Sequence, residues 1–195
     1  MKPETHKLLD IKIPPLKEGF VLPVGNSEQT FYSLKVEDVF NPELISFFAE
    51  LGFIPQYALI FHHTPYSTVQ PIHVDNNLEQ FRCSINWVFC DHHLLRWYEP
   101  KPGATPIPTH VSPVHGGSLK DVPYVTLAEE DAVVIDETSD KGPMLVSIGN
   151  IFHKAVNLSD ADRWSVILKF TLKSTPSWDY VVEKLSPYII ESRDK

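Results

Sequence analysis

Cysteine is scarce in this chain, and its two copies are Cys83 and Cys90 among 195 residues. They lie seven positions apart, on what we interpret as one strand and its end. An odd offset along a strand places two side chains on opposite faces, so we do not expect a disulfide between them. A chain without a disulfide framework is typical of a reducing compartment, and we therefore expect a cytoplasmic protein.

Basic residues and long apolar runs are also few. The chain has 17 lysines and arginines against 25 aspartates and glutamates, a formal net charge of −8. Binding along nucleic-acid phosphates needs clustered basic side chains, which argues against a nucleic-acid partner. No apolar stretch approaches the roughly 20 residues that cross a bilayer, and the first residues lead into no apolar signal segment. We therefore expect no membrane partner.

Proline is abundant where glycine is not, with 17 prolines against 8 glycines, which favours many short elements separated by turns. The length suits a single domain covering the whole chain. We divide it into an N-terminal irregular region with a supporting helix (1–55), a core (56–172) and a C-terminal helix (173–195). Residues 11–13 and 20–22 are possible short edge strands of the first region.

Two helices are predicted from their end signals and apolar stripes. Asn41 can cap the first, Pro42 suits its first turn, and Gly52 can end it. Its apolar stripe is Leu44, Ile45, Phe47, Phe48 and Leu51, and a stripe of this kind normally covers a sheet. A last helix is predicted to start at Thr175-Pro176, with Trp178, Val181, Val182 and Leu185 on one side.

The core is rich in short β-type runs divided by turns, which predicts an antiparallel sandwich or barrel. The predicted strands are 57–61, 83–89, 94–98, 132–135, 144–148, 152–156 and 164–172. Between 100 and 130 lies a stretch with several prolines and glycines that is too long for a tight turn. It could be a lid over a site or a plain surface insertion.

His73-Val74-Asp75 is the first candidate for chemistry. Residues two apart in an extended segment point the same way, so His73 and Asp75 can present an imidazole and a carboxylate to one ion. The His-x-Asp pattern alone is weak evidence for a metal site, and a third ligand must come from elsewhere in the chain. His153, inside a predicted strand, can provide it. Two histidines and one carboxylate leave three octahedral positions open, as in non-haem Fe(II) oxygenases and unlike a closed zinc site.

Arg163-Trp164-Ser165 is the second candidate. On the predicted strand Arg163 and Ser165 share one face, and a guanidinium beside a hydroxyl is a good receptor for a carboxylate. An ordinary strand with its polar face in water would look the same. Arg82-Cys83-Ser84 has the same Arg-x-Ser pattern, but only Arg163 follows a plausible third metal ligand.

Further polar residues could assist. Asn86 shares a polar face with Ser84 and could contact a bound cosubstrate if that face lines the barrel mouth. The pairs His62-His63 and His92-His93 compete for the metal, but neighbours on a strand point to opposite faces, so each pair offers one ligand cleanly.

The ordered set His73, Asp75, His153, Arg163 and Ser165 resembles the Fe(II)/2-oxoglutarate-dependent dioxygenases. It covers the central and C-terminal half of the chain. The runs 84–89 and 94–98 are similar to small phage and marine-microbial members. The resemblance implies a mainly β fold, a double-stranded β-helix (jelly roll) over 56–172 with a few flanking helices.

Carried over by residue, the resemblance makes His73, Asp75 and His153 the Fe(II) ligands and catalytic residues. Arg163 and Ser165 would bind the far carboxylate of 2-oxoglutarate, with Asn86 as a further contact. The implied activity uses O2 to convert 2-oxoglutarate to succinate and CO2 while a small-molecule or peptide substrate is hydroxylated.

Two alternatives remain open at the level of sequence. One is a jelly-roll module that binds a metal or ligand without activating O2. The other is a cupin-like metalloenzyme that does not use 2-oxoglutarate, in which Arg163 would be incidental. Arg163 is therefore the residue that separates these interpretations.

Overall fold

The fold consists of two facing antiparallel sheets with helices on one side. The computed structural model describes residues 3–24, 29–74, 83–111, 122–149, 151–171 and 177–190. Within these ranges twelve strands form two sheets of six. The first sheet has the order β1-β10-β5-β12-β3-β2 and the second the order β7-β8-β4-β11-β6-β9.

Most of the strands have seven residues or fewer, as the distribution of prolines predicts. Those of the first sheet are β1 (His6–Leu8), β2 (Gln29–Leu34), β3 (Ile54–His63), β5 (Cys83–Phe89), β10 (Met144–Ser147) and β12 (Arg163–Thr171). Those of the second sheet are β4 (Ile72–Val74), β6 (His93–Pro100), β7 (Ile107–Val111), β8 (Val122–Leu127), β9 (Ala132–Thr138) and β11 (Phe152–Asn157).

The chain passes back and forth between the sheets, which defines the jelly roll. From β3 to β6 each strand lies in the sheet opposite to the one before it, and β9 to β12 repeat this alternation. The eight strands of the roll are thereby ordered β10-β5-β12-β3 against β4-β11-β6-β9. The predicted mainly β, jelly-roll fold with a few flanking helices is confirmed, and each predicted core strand overlaps a strand of the structure.

In the described part of the chain three α-helices accompany the sheets: α1 (Val36–Val39), α2 (Pro42–Glu50) and α3 (Trp178–Leu185). Asn41 caps α2 as predicted, because its side chain accepts a hydrogen bond from the Glu43 backbone N–H at 2.9 Å. Ser177 caps α3 through the Tyr180 backbone N–H. The predicted start of α3 at Thr175-Pro176 lies outside the described residues.

The largest apolar core lies between the helices and the outer face of the first sheet. It joins α2 and α3 to alternate residues of β5 and β12, and its members include Leu44, Phe48, Ile85, Val166, Leu168, Phe170, Val181 and Leu185. Burial of these side chains is the main stabilising contribution to this layer. It also fixes which face of β5 and β12 is left for the interior of the roll.

Two predictions about secondary structure outside the core strands are wrong. Residues 11–13 and 20–22 are not strands, and the N-terminal pairing is made by β1 and β2. The stretch 100–130, predicted as a loop, contains the paired strands β7 and β8. Pro108 and Pro123 made these strands hard to predict, because proline lacks the N–H that pairs neighbouring strands. Proline is nevertheless tolerated at a sheet edge or near the start of a strand.

No helix in the described part of the chain combines the length and the apolar character needed to cross a bilayer.

Candidate functional site

The interior of the roll is identified by contacts between the two sheets. Met144 and Val146 of β10 pack against Leu95, Trp97 and Ala155 of the second sheet. These side chains therefore point inward from opposite walls. Residues directly opposite each other on neighbouring antiparallel strands point to the same side of a sheet. The strand register then extends the inner face across each sheet.

On the first sheet this rule places the predicted polar face inside. Asn86 lies opposite Met144, and Ile167 lies opposite Asn86. Two-residue alternation along β12 then brings Arg163 and Ser165 to the same inner face, and both are only 3% exposed. A polar face in water is therefore wrong for this strand. The other face of β12 packs under the helices.

On the second sheet the same rule brings the two predicted histidine ligands together. His153 lies opposite Trp97 on β6 and opposite His73 on β4. The two imidazole centroids are 4.4 Å apart with a 48° angle between the rings. Both histidines are buried, at 5% and 7% exposure. A pair of rings this close, from facing positions of adjacent strands, can direct two nitrogens at one ion.

A backbone carbonyl oxygen accepts a hydrogen bond from each ring of this histidine pair. His73 Nδ1 lies 2.9 Å from the carbonyl oxygen of Pro71, and His153 Nδ1 lies 3.2 Å from that of Ile151. A carbonyl oxygen can only accept, so Nδ1 is the donor in both rings. In the neutral form of each ring this arrangement leaves the lone pair on Nε2, which is the tautomer that binds a metal through Nε2.

Asp75, the predicted carboxylate ligand, lies outside the described residues. Within those residues no group of three or more histidine, cysteine, aspartate or glutamate side chains could hold a metal ion. The histidine pair is therefore the part of the predicted metal site that the structure brings together.

Arg163 carries a buried positive charge. Desolvation lowers its pKa from 12.5 to about 10, so the guanidinium is still protonated at neutral pH. None of the ion pairs among the described residues includes it. A buried charge without a counterion is strongly unfavourable, so this position favours binding of an anion.

Two polar atoms at this position have no hydrogen-bond partner among the described residues. They are Arg163 Nε and Ser165 Oγ, and both are buried. Buried polar groups are nearly always paired, and each exception calls for an explanation. A carboxylate, which only accepts, would satisfy the guanidinium and the hydroxyl together. The residues present therefore fit a bound carboxylate group.

Asn86 lies on the same inner wall but is engaged within the protein. Its Oδ1 accepts a hydrogen bond from Ser84 Oγ at 2.7 Å, and both side chains are buried. The alternate residues of the same strand point the other way, and Cys83, Ile85 and Trp87 pack in the core beneath the helices. The orientation predicted for this strand is therefore present, and contact with a cosubstrate stays a prediction.

Two buried histidines near Arg163 were not predicted as part of an anion site. His63 lies opposite Arg163 in the register of β3 and β12, with His63 Nδ1 3.5 Å from Arg163 Nη1. Burial, and then the positive charge of Arg163, lower the pKa of His63 to about 3. The same two causes lower the pKa of His93 to about 4. Both rings are therefore neutral at pH 7. Sequence offers only alternation along each strand, which cannot say which strand lies beside which.

The other candidate histidines lie elsewhere. His62 points to the opposite side of β3 from His63, against the Trp164 ring at 4.4 Å, and its Nε2 is 3.3 Å from Asp162 Oδ1. That is an ion-pair distance without hydrogen-bond geometry. His92 is exposed. As expected from alternation, each adjacent pair sends one histidine inward.

Comparison with known proteins gives little beyond the architecture. No protein-family model and no curated protein matches the chain. Among solved structures it is similar to a recombinant oxalate oxidase in complex with glycolate, at 14% identity and a TM-score of 0.36, over 90% of this chain and 79% of that one. An oxalate oxidase in complex with the substrate analogue glycolate gives 15% identity, a TM-score of 0.35, and coverage of 89% and 76%. These values are too low to carry an argument about function.

Proposed function

We propose that the chain is a non-haem Fe(II)- and 2-oxoglutarate-dependent oxygenase that hydroxylates a small-molecule or peptide substrate and releases succinate and CO2. The observation that carries the proposal is the buried guanidinium of Arg163, which has no carboxylate partner among the described residues. It lies on the wall of the roll that faces the His73–His153 pair. A metal end and an anion end inside one roll suit a cosubstrate with a chelating head and a distant carboxylate.

The metal end would be held by His73, His153 and Asp75. The two Nδ1 hydrogen bonds to backbone carbonyls orient the rings, and the neutral rings would coordinate the ion through Nε2. When bound, Fe(II) supplies the activation of O2 and the oxidative decarboxylation of 2-oxoglutarate, chemistry that side chains alone do not provide.

The anion end would be held by Arg163 and Ser165. The guanidinium can pair with the far carboxylate through two parallel N–H donors, and the hydroxyl of Ser165 can donate a third hydrogen bond. Both groups are already shielded from water, which strengthens a charge-assisted hydrogen bond. Asn86, on the same wall, would contact the chain of the cosubstrate between its two ends.

The proposal is tested by anaerobic titration of the Fe(II)-loaded protein with 2-oxoglutarate, following the visible charge-transfer band that chelation produces. We expect a saturable band with the wild-type protein. Arg163→Met removes the charge at similar side-chain volume. We expect the affinity for 2-oxoglutarate to fall by a factor of about a hundred or more. His73→Ala should abolish tight Fe(II) binding.

His92→Ala, at an exposed histidine, is the matched control and should bind Fe(II) like the wild type. Absence of the band in the wild-type protein would refute the oxygenase proposal. An unchanged 2-oxoglutarate affinity in Arg163→Met would remove the anion end, and the cupin-like alternative without 2-oxoglutarate would then fit better.

A further inference from the structure

The histidine pair belongs to a row of side chains that crosses the inner face of the second sheet. His153 lies opposite Trp97 on β6 and opposite His73 on β4. The row continues through Thr126 on β8 and ends with Ile107 on β7. Residues paired in this way point to the same side of a sheet, and their Cα atoms are about 5 Å apart. Thr126 is therefore the next residue to His73 across the sheet, and Ile107 lies about 10 Å from His73.

One end of this row is closed by contacts with the N-terminal segment. Trp97 is fully buried, and the ring of His6 from the first sheet stacks on it at 4.9 Å, with an 8° angle between the rings. Asp136 of β9, which lies opposite Trp97, accepts a hydrogen bond from Thr5 Oγ1. These contacts among the described residues join the two sheets and close this side of the row.

The other end of the row is open. Exposure increases from 5% at His73 to 57% at Ile107, and Thr126 between them is half-buried. Strands β8 and β7 extend the second sheet beyond the eight strands of the roll, so their inner face continues the wall that carries the histidine pair. The surface formed by Thr126, Ile107 and Thr109 is termed the shelf. It is continuous with the proposed metal end and reaches solvent.

The shelf presents hydrogen-bond acceptors beside an apolar side chain. Thr126 Oγ1 lies 3.2 Å from the carbonyl oxygen of Ile107 and 3.0 Å from Thr109 Oγ1, which is itself 3.3 Å from the same carbonyl oxygen. A carbonyl oxygen only accepts and each hydroxyl has one proton, so these contacts engage both protons. They use at most one of the four hydroxyl lone pairs. The remaining lone pairs suit an O–H or N–H donor.

We infer that the shelf binds the substrate, and that the substrate is a small molecule with an O–H or N–H donor next to an apolar chain. This inference rests on the proposed function and names the substrate class of the same site. The donor would bind the threonine pair beside His73, and the chain would lie on Ile107. An extended peptide paired with the edge strand β7 would instead lie three strand spacings from His73, about 14 Å, which is too far from the metal end.

The first experiment uses the Zn(II)-loaded protein, with hexan-1-ol and its isomer methyl pentyl ether as probes. The two compounds have the same atoms, but only the alcohol donates a hydrogen bond. In NMR spectra of labelled methyl groups, we expect hexan-1-ol to cause saturable shifts at Thr126 and Ile107. The ether should bind about three- to tenfold more weakly than the alcohol. Absence of shifts at both residues would overturn the inference.

Two variants separate the polar and apolar parts of the shelf. Thr126→Val keeps the shape of the side chain and removes the hydroxyl, so the alcohol should lose most of its advantage over the ether. Ile107→Ser should weaken binding of hexan-1-ol by about threefold or more, because it removes apolar contact. An unchanged preference for the alcohol in Thr126→Val would contradict the assigned hydrogen bond.

Val133→Ser is the matched control for Ile107→Ser, since Val133 is exposed on β9 at the opposite edge of the same sheet. It should bind both probes like the wild type. Equal losses of affinity in the two variants would overturn the shelf as the binding site.

Co(II) in place of Zn(II) tests the orientation of the bound probe. Paramagnetic broadening falls steeply with distance from the metal, so the protons next to the hydroxyl of hexan-1-ol should broaden more than those of its terminal methyl group. Equal broadening, or the reverse order, would overturn the placement of the donor beside His73. His73→Ala should abolish the broadening and keep the shifts at Ile107. Absence of the 2-oxoglutarate charge-transfer band would refute the oxygenase proposal, whereas absence of the methyl shifts would overturn the substrate-binding role of the shelf.

Discussion

At the scale of single residues, the inner wall keeps histidines neutral beside a fixed positive charge. His63 and His93 are both nearly inaccessible to water, and each has its pKa lowered by burial first and by Arg163 second. His62 adds a smaller lowering contribution to the pKa of His63. Protonation of either ring would place two cations together in a region of low dielectric.

Stability should therefore fall as the solution is acidified. The unfolded chain takes up these protons near pH 6.5, whereas the folded protein does so only near pH 3 and pH 4. Between those limits the unfolded state binds more protons than the folded state. The free energy of unfolding therefore increases with pH in this range and decreases as the pH falls. We expect a loss of about 1 to 2 kcal/mol per histidine between pH 7 and pH 5.

Urea unfolding at pH 7, 6 and 5 measures this effect. A His63→Gln/His93→Gln double variant should show a shallower decline than the wild type, and His92→Gln should not. Parallel pH profiles for the wild type and the double variant would contradict the assigned pKa shifts.

At the scale of elements, the approach of β10 to β5 depends on a glycine. Gly142 has φ near +90°, and a Cβ built there would overlap the backbone carbonyl oxygen of Asn86 and lie 3.1 Å from Met144 N. Rigid backbone cannot give way as a flexible side chain can. The absence of a side chain at Gly142 therefore sets how closely β10 packs beside the strand that carries Asn86.

Gly142→Ala should destabilise the protein by about 3 kcal/mol or more, since it combines a disfavoured φ with a backbone clash. Gly103 is the matched control, because its φ is +87° but nothing lies within 4 Å of its built Cβ. Gly103→Ala should cost about 1 kcal/mol from the backbone alone. Thermal or urea unfolding measures both, and equal losses would show that the close approach does not matter.

At the scale of the whole molecule, sequence predicted what depends on local order and missed what depends on neighbours. Alternation along 83–89 and 163–171 separated a polar from an apolar face but left open whether the polar face was buried. Asn41 and Gly52 marked the ends of α2. The pairing of His63 with Arg163 joins residues 100 positions apart and follows from strand order, which no local pattern encodes. The β7–β8 pair was missed because its prolines look like loop residues.

Loading with metal and cosubstrate should stabilise the whole fold, because a ligand that binds only the native state adds its binding free energy to folding. At a hundred times the dissociation constant the gain is about 2.7 kcal/mol. For a chain of this size that corresponds to about 5 to 10 °C in Tm. Anaerobic thermal unfolding with Fe(II) and 2-oxoglutarate measures this increase in Tm. The Tm of the Arg163→Met protein should increase with Fe(II) and should not increase further when 2-oxoglutarate is added. A Tm unaffected by 2-oxoglutarate in the wild type would contradict the proposed site.

The placement of the histidine pair on the second sheet and of Arg163 on the first has a kinetic consequence. A ligand held at both ends would act as a crosslink between the two walls, so its escape and the parting of the sheets would become one event. Amide hydrogens of β11 and β12 would then exchange with solvent more slowly, and by the same factor, for as long as the ligand stays. Residence time would be set by the roll as a mechanical unit rather than by either set of contacts alone.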